Sequence, residues 1–263
     1  MTAAPEIDNA ALARMRAGDI ALGLVVRLAR SGEIVSVARA SGHDFIFLDT
    51  QHALYSLETI GHIAQAAIDA GIAVIVRVPN CDDPDIGKLL DAGIAGIVVS
   101  DVSNAREAQR LVDACRFPPR GRRSVQSTYS VTRYAPYPVA SLMAEIEHKT
   151  LVACMIETVE ALENLDAIAA VEGIDVLHLG ATDLLADMGV PGAFDHPDLH
   201  AAVERLITAC RRNGKFAGLG GERDLGRLAA YFSLGLQFHT TQTDISYLID
   251  AARRRVESLR TTD

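Results

Sequence analysis

Eight short, β-branched apolar runs punctuate this chain, and each is separated from the next by a stretch of helical periodicity. That alternation constrains the fold more than any other feature. The runs are Ile20 to Val26, Phe45 to Leu48, Ala73 to Val78, Gly96 to Val99, Leu151 to Ile156, Asp175 to Leu179, Phe216 to Leu219 and Leu236 to His239. Most are continuously apolar rather than alternating, the pattern of strands whose two faces are both covered. Helix punctuation falls between them: Ser56 and Asn104 stand where N-caps are needed, Gly71 where a helix closes, and Pro118-Pro119 where one cannot continue. Eight such units in 263 residues predict an α/β protein, a (β/α)8 TIM barrel, as one domain spanning residues 1–263. A last helix is expected from about Ser246 to Leu259, carrying Arg253, Arg254 and Arg255.

Charge and sulfur narrow the function classes. Lys and Arg number 25 against 34 Asp and Glu, a net charge of −9 that repels phosphate backbones and anionic lipid. Nucleic acid and membrane surfaces are therefore not expected partners. The apolar runs are far shorter than the roughly 20 residues of a membrane-spanning helix, and the first residues lack the layout of a secretory signal. These features predict a cytoplasmic protein. Cys81, Cys115, Cys154 and Cys210 show no CxxC spacing and are expected as reduced core thiols. The connection from Pro118 to Lys149 is long for a barrel and holds Arg120, Arg122, Arg123, Arg133, Tyr129, Tyr134 and Tyr137. It could arch over an anionic ligand, pack against another subunit, or form a basic surface loop.

In a barrel the chemistry lies at the C-terminal ends of the strands, so the polar residues that follow each run are the candidates. Glu157 and Asp183 follow neighbouring strands and can converge at the mouth. Two carboxylates that close repel unless a proton or cation lies between them, and a hard divalent ion with oxygen ligands suits the pair. His52 lies three residues beyond Asp49, whose carboxylate could orient the ring and raise its basicity as a general base. Arg77, near the end of an apolar strand, calls for an anionic partner and could meet a developing enolate or a carboxylate. Gly180 and the stretch Gly218-Leu219-Gly220-Gly221 allow close approach of backbone to a bound acid, with Leu219 among the expected substrate-binding positions. Schiff-base catalysis needs an amine at a strand's end, whereas the three lysines, Lys88, Lys149 and Lys215, fall in a helix or ahead of strands. Metal-assisted enolate chemistry takes its place.

Several stretches, in order, resemble the HpcH/HpaI group of class II, metal-dependent pyruvate aldolases, which includes 4-hydroxy-2-oxoheptanedioate and 2-keto-3-deoxy sugar-acid aldolases. They are Phe47-Leu48-Asp49-Thr50-Gln51-His52, Val76-Arg77-Val78-Pro79, Leu89-Leu90-Asp91-Ala92-Gly93, Phe117-Pro118-Pro119-Arg120-Gly121-Arg122-Arg123, Met155-Ile156-Glu157-Thr158 and Gly180-Ala181-Thr182-Asp183-Leu184. The resemblance implies reversible cleavage of a 4-hydroxy-2-oxoacid to pyruvate and an aldehyde, with no organic cofactor. It implies that Glu157 and Asp183 bind Mg²⁺, Mn²⁺ or Co²⁺, that the backbone near Thr182 and Asp183 holds the substrate carboxylate, and that Gly180 and Ala181 are also among the substrate-binding positions. His52 would be the base, acting through bound water, Arg77 would stabilise the enolate, and Asp91 would raise the basicity of the histidine, in such enzymes from a neighbouring subunit. Such enzymes are hexamers, trimers of dimers that exchange a C-terminal helix, so a homo-oligomer is expected.

This chain departs from the group at four places. Gln51 precedes the histidine where a glutamate is usual, Met155 stands for a glutamine, Ser124 for a glycine and Ala181 for a proline. These changes imply a shifted donor or acceptor range, with hydroxypyruvate accepted as well as pyruvate. A citrate-lyase-β-like or malyl-CoA-type lyase and a non-catalytic oxo-acid-binding homologue are the rival readings.

Overall fold

The computed structural model describes residues 7–261. Eight parallel strands, β1 (Ala21–Val26), β2 (Phe45–Asp49), β3 (Ala73–Val78), β4 (Gly96–Val99), β5 (Leu151–Ile156), β6 (Val176–Gly180), β7 (Phe216–Gly220) and β8 (Leu236–Thr243), close in sequence order into a TIM barrel. The first helices are α1 (Ala10–Arg16), α2 (Glu33–Ala40), α3 (Leu57–Ala70), α4 (Ile86–Asp91), α5 (Ala105–Cys115) and α6 (Val139–Lys149). They are followed by α7 (Val159–Glu163), α8 (Leu165–Ala169), α9 (Ala181–Asp187), α10 (Pro197–Arg212), α11 (Leu225–Leu234) and α12 (Asp244–Arg260).

Local chemistry sets the element ends. Ser56 accepts the Thr59 N–H at the start of α3, Gly71 ends that helix at φ 67°, and Asn104 accepts the Glu107 N–H at the start of α5. Strands β6 and β7 run on to Gly180 and Gly220, β6 starts at Val176, and β8 continues four residues past His239. The apolar runs understate the C-terminal ends of these strands, which carry small and polar residues, and overstate the starts of β1 and β6 by one residue. Helix α12 likewise begins two residues earlier than expected, capped by Thr243.

The strands bury both faces. One apolar cluster, with Val26, Leu48, Val76, Leu179 and Leu219, fills the space under the helices. A second fills the barrel, where Phe45 and Phe238 stack with ring centroids 4.5 Å apart. The Phe45 ring crosses Gly23 so closely that a Cβ there would lie 2.1 Å from Cε2, which makes glycine a packing requirement of β1. All four cysteines are free and buried.

The β1/β8 seam is closed by register, Ala21 beside Phe238 and Val25 beside Thr243. It is also closed by Asp244, whose carboxylate accepts the backbone N–H groups of Arg27, Leu28 and Ala29 at 2.9 to 3.0 Å. Helix α12 buries none of its residues, and Ile245, Tyr247, Leu248, Ile249, Val256 and Leu259 are exposed along it. Among the described residues no helix is long and apolar enough to cross a membrane.

The long connection does not arch over the barrel mouth. It leaves the end of α5 rather than the end of β4, which puts it on the rim where the strands begin. There Arg123 donates to Asp91 at 3.0 Å and stacks on Phe117 and Tyr129.

Candidate active site

The cationic wall of the mouth follows from the register of three strands. Val26 pairs with Leu48 and Asp49 with Arg77, so Arg27, Asp49 and Arg77 come level at the strand ends. Asp49 is fully buried, and Arg77 grips it with two donors, Nε to Oδ1 at 2.9 Å and Nη2 to Oδ2 at 2.6 Å. Arg27 Nε adds a third at 2.5 Å. Burial alone would raise the carboxyl, but the hydrogen bonds and charges of Arg77 and Arg27 outweigh it and hold Asp49 below its ordinary 3.8. Asp49 also accepts the backbone N–H groups of Gln51 and His52. It therefore fixes the chain carrying His52; no hydrogen bond joins it to the imidazole among the described contacts, in contrast to the ring-orienting role expected from spacing.

Arg77 is 5 % exposed and lines a cavity of about 350 Å³. Among the described residues its Nη1 meets only the thioether of Met155, at 3.7 Å, a weak acceptor that leaves the donor available to an anion. The two departures at Gln51 and Met155 are joined in space: Ser100 Oγ donates to Gln51 Oε1 at 2.8 Å and lies 3.7 Å from Met155 Sδ.

Glu157 supplies the acidic side. It is 3 % exposed; Oε1 accepts the Asp101 N–H at 2.8 Å, while Oε2 is buried without a partner. Burial pushes its carboxyl up to about 7, the Asp101 N–H opposes this, and the negative charges of Asp101 and Asp183 add to it. A Cβ on Gly180 would sit 2.6 Å from the unpartnered oxygen, so glycine keeps open the space between Glu157 and the cavity. Asp183, in the first turn of α9, is exposed and lines the cavity with Gly180, Ala181 and Thr182. His52 is exposed at the same rim.

Two expected site residues do not join this group. Leu219 faces outward into the cluster under the helices, because its neighbours Gly218 and Gly220 occupy the inward positions of β7; Gly220 and Gly221 line the cavity instead. Asp91 ends α4 on the opposite rim, bound by Arg123 and Gln126, beside a separate cavity of about 240 Å³. Within one chain it cannot reach His52. The lysines also lie elsewhere: Lys215 donates to Val171 and Ile174 carbonyls, Lys149 ends α6 and Lys88 is in α4.

The cavity has residues that the spacing of the apolar runs did not single out: Arg27, His178, Arg223, and Thr240 to Thr243 on the extension of β8. Alternation along β8 inward from Phe238 through Thr240 to Gln242 was the available signal. Among the described residues, four buried side-chain polar atoms lack a partner, and three of them, on Glu157, His178 and Gln242, belong to this one mouth. Buried polar groups are ordinarily paired. Their clustering marks a site prepared for a polar ligand.

A TIM barrel with a buried acidic group, a clamped arginine and an exposed histidine around one mouth has the layout of a lyase or related enzyme working on a small anionic substrate. The HpcH/HpaI aldolase/citrate lyase family matches residues 22–244, and the chain belongs to that family. A 4-hydroxy-4-methyl-2-oxoglutarate aldolase of Hapsidospora irregularis is 35% identical over 253 residues, covering 92% of this chain and 91% of its own. A hydroxypyruvate/pyruvate aldolase of Cupriavidus necator is 33% identical over 229 residues, covering 86% and 84%. The crystal structure of an HpcH/HpaI aldolase from Desulfitobacterium hafniense DCB-2 superposes with a TM-score of 0.91 at 28% identity, covering 96% and 97%. The chain is an enzyme of the carbon–carbon lyase class.

Proposed function

We propose that this enzyme reversibly cleaves 4-hydroxy-2-oxoacids to pyruvate, or hydroxypyruvate, and an aldehyde, with a divalent ion such as Mg²⁺, Mn²⁺ or Co²⁺ at Glu157 and Asp183. The observation that carries the reading is the orphaned Oε2 of Glu157. An all-oxygen pair of carboxylates with one buried, unpartnered oxygen fits a hard cation that takes its remaining ligands from water and substrate. Such an ion, when bound, draws electrons from the 2-oxo group and lowers the barrier to enolate formation.

The chain's own residues do the rest. The first-turn N–H groups of Thr182 and Asp183 have no acceptor within α9 and suit a substrate carboxylate. Arg77, fixed by its two bonds to Asp49, aims Nη1 where charge develops on the enolate oxygen. In cleavage, His52 takes the proton of the 4-hydroxyl; the C3–C4 bond breaks, and its electron pair passes into the enolate as the aldehyde leaves. Protonation at C3 completes the oxo-acid. Assembly belongs to this reading: with Asp91 on the far rim and the apolar residues of α12 uncovered, a homo-hexamer, a trimer of dimers exchanging α12, brings a neighbour's acidic rim to His52 and covers the helix.

Proton exchange tests the core of it. Incubated in deuterated water with Mg²⁺, the enzyme should exchange the methyl protons of pyruvate, and added aldehydes should give aldol products by NMR. Glu157→Ala or EDTA should abolish both, and exchange undiminished in EDTA refutes the assignment of the ion.

A further inference from the structure

The unused group at this site is His178. Its ring lies inside the barrel on β6, 1 % exposed, edge-on to Phe238 at 5.4 Å and tilted against Phe47 at 6.0 Å. Two glycines of β7 make room for it: a Cβ at Gly218 would meet Nδ1 at 2.7 Å, and one at Gly220 would meet Nε2 at 2.8 Å. The ring therefore spans two inward positions of β7, with Nδ1 toward the packed interior and Nε2 toward Gly220, which lines the cavity.

Nδ1 has no hydrogen-bond partner. Burial, then the charges of His239 and Arg77, push the imidazole down to about 3, so it is neutral and carries one proton. An unpartnered N–H deep in hydrocarbon costs more than an unpartnered lone pair, because the donor forfeits a strong bond to water. The proton therefore resides on Nε2, and a fixed neutral donor looks up into the cavity floor. On the β8 side of the same cavity Gln242 offers a buried Oε1 without a partner.

Resting on the aldolase reading, the site's other groups account for the carboxylate and 2-oxo group of the donor acid. What remains is the substituent at C3, and the buried, unpartnered polar groups of the cavity not yet used are those of His178, two residues below Gly180 on β6, and Gln242. A methyl group satisfies neither an N–H donor nor a carbonyl acceptor, whereas a hydroxyl satisfies both. We infer that His178 is a specificity-determining residue that selects a 2-oxoacid donor bearing a hydroxyl at C3, hydroxypyruvate over pyruvate, by donating from Nε2 to that hydroxyl.

The test compares both donors in wild type, His178→Phe, which fills the same aromatic space without nitrogen, and His178→Gln, which retains an N–H donor. The aldol rate with one aldehyde should show kcat/KM for hydroxypyruvate about tenfold lower in His178→Phe, the effect of one lost hydrogen bond. Pyruvate should stay within about twofold, and His178→Gln should recover part of the difference. Equal losses with both donors, or none with hydroxypyruvate, overturn the inference. The ¹⁵N imidazole spectrum separates it from the aldolase reading: hydroxypyruvate should shift the His178 Nε2 resonance from a protonated Nε2 tautomer, and pyruvate should not. If wild type turns over neither acid yet hydroxypyruvate alone moves that resonance, the aldolase reading fails and the selectivity stands; a silent or Nδ1-protonated resonance refutes the selectivity whatever the turnover.

Discussion

Without the proposed divalent ion, this enzyme's stability should depend on pH through Glu157. In the metal-free fold its carboxyl titrates near 7, against 4.5 in the unfolded chain. The folded state then binds more protons than the unfolded state between those values. Stability is greatest below 4.5, falls as pH rises, and levels off above 7. At about 1.4 kcal/mol per pH unit the full effect is about 3.5 kcal/mol, of which about 2.5 kcal/mol falls between about pH 5 and pH 8. The group is almost wholly buried, so solvent screening removes little of this. Urea midpoints measured in EDTA for wild type and Glu157→Gln give the test, because subtracting the variant cancels titrations common to both. The difference should shrink steadily toward acid. Calorimetry supplies an independent reading: binding Mn²⁺ at about pH 6 should release nearly one proton, and at about pH 8.5 almost none. Parallel stability curves for the two proteins, with no proton release at pH 6, would show that the buried oxygen does not behave as described.

Gly180→Ala should fold, since φ of −90° is open to alanine, yet its Cβ would displace Glu157 Oε2; turnover should drop about a hundredfold with near-native circular dichroism, and a fully active variant refutes the packing argument. Asp49→Asn removes the anion that pairs with buried Arg77, and should lower stability by about 3 kcal/mol by denaturant melt, while Asp49→Leu with Arg77→Met should restore stability without activity. Because His178 is held neutral with a titration near 3 against 6.5 unfolded, its contribution is full above 6.5 and is lost as pH falls toward 3; His178→Phe should flatten the acid limb of the stability profile, most visibly between about pH 6 and pH 4.

The barrel was legible because continuous apolar runs and capped helices each carry their own signal. The proposed residues Glu157, Asp183, His52 and Arg77 could be chosen by position, since each follows or ends such a run, and the fold brings His52, Arg77 and Asp183 to one cavity. Asp49 was misread because spacing along the chain places it near His52, whereas its real partners are delivered across strands by register, which no local pattern reveals. The eighth run stopped at His239, short of the rim of β8, for a related reason. Thr240, Thr241, Gln242 and Thr243 are polar because they edge a polar cavity, so the chemistry that makes them useful erases the apolar signature of a strand. Of the three readings of the long connection, only the arch over an anionic ligand at the mouth is overturned, because leaving a helix rather than a strand sent the segment to the far rim; packing against another subunit and a basic surface loop both remain compatible with that place.

Asp244 gives the barrel a latch. Its carboxylate holds three consecutive amides just beyond the first stave, at the point where the last stave gives way to the terminal helix. Shortening the chain from its carboxyl end should therefore be tolerated by the hoop of strands until that residue is lost. Beyond it the first and last staves part company and Arg27, anchored beside them, is set adrift from Asp49.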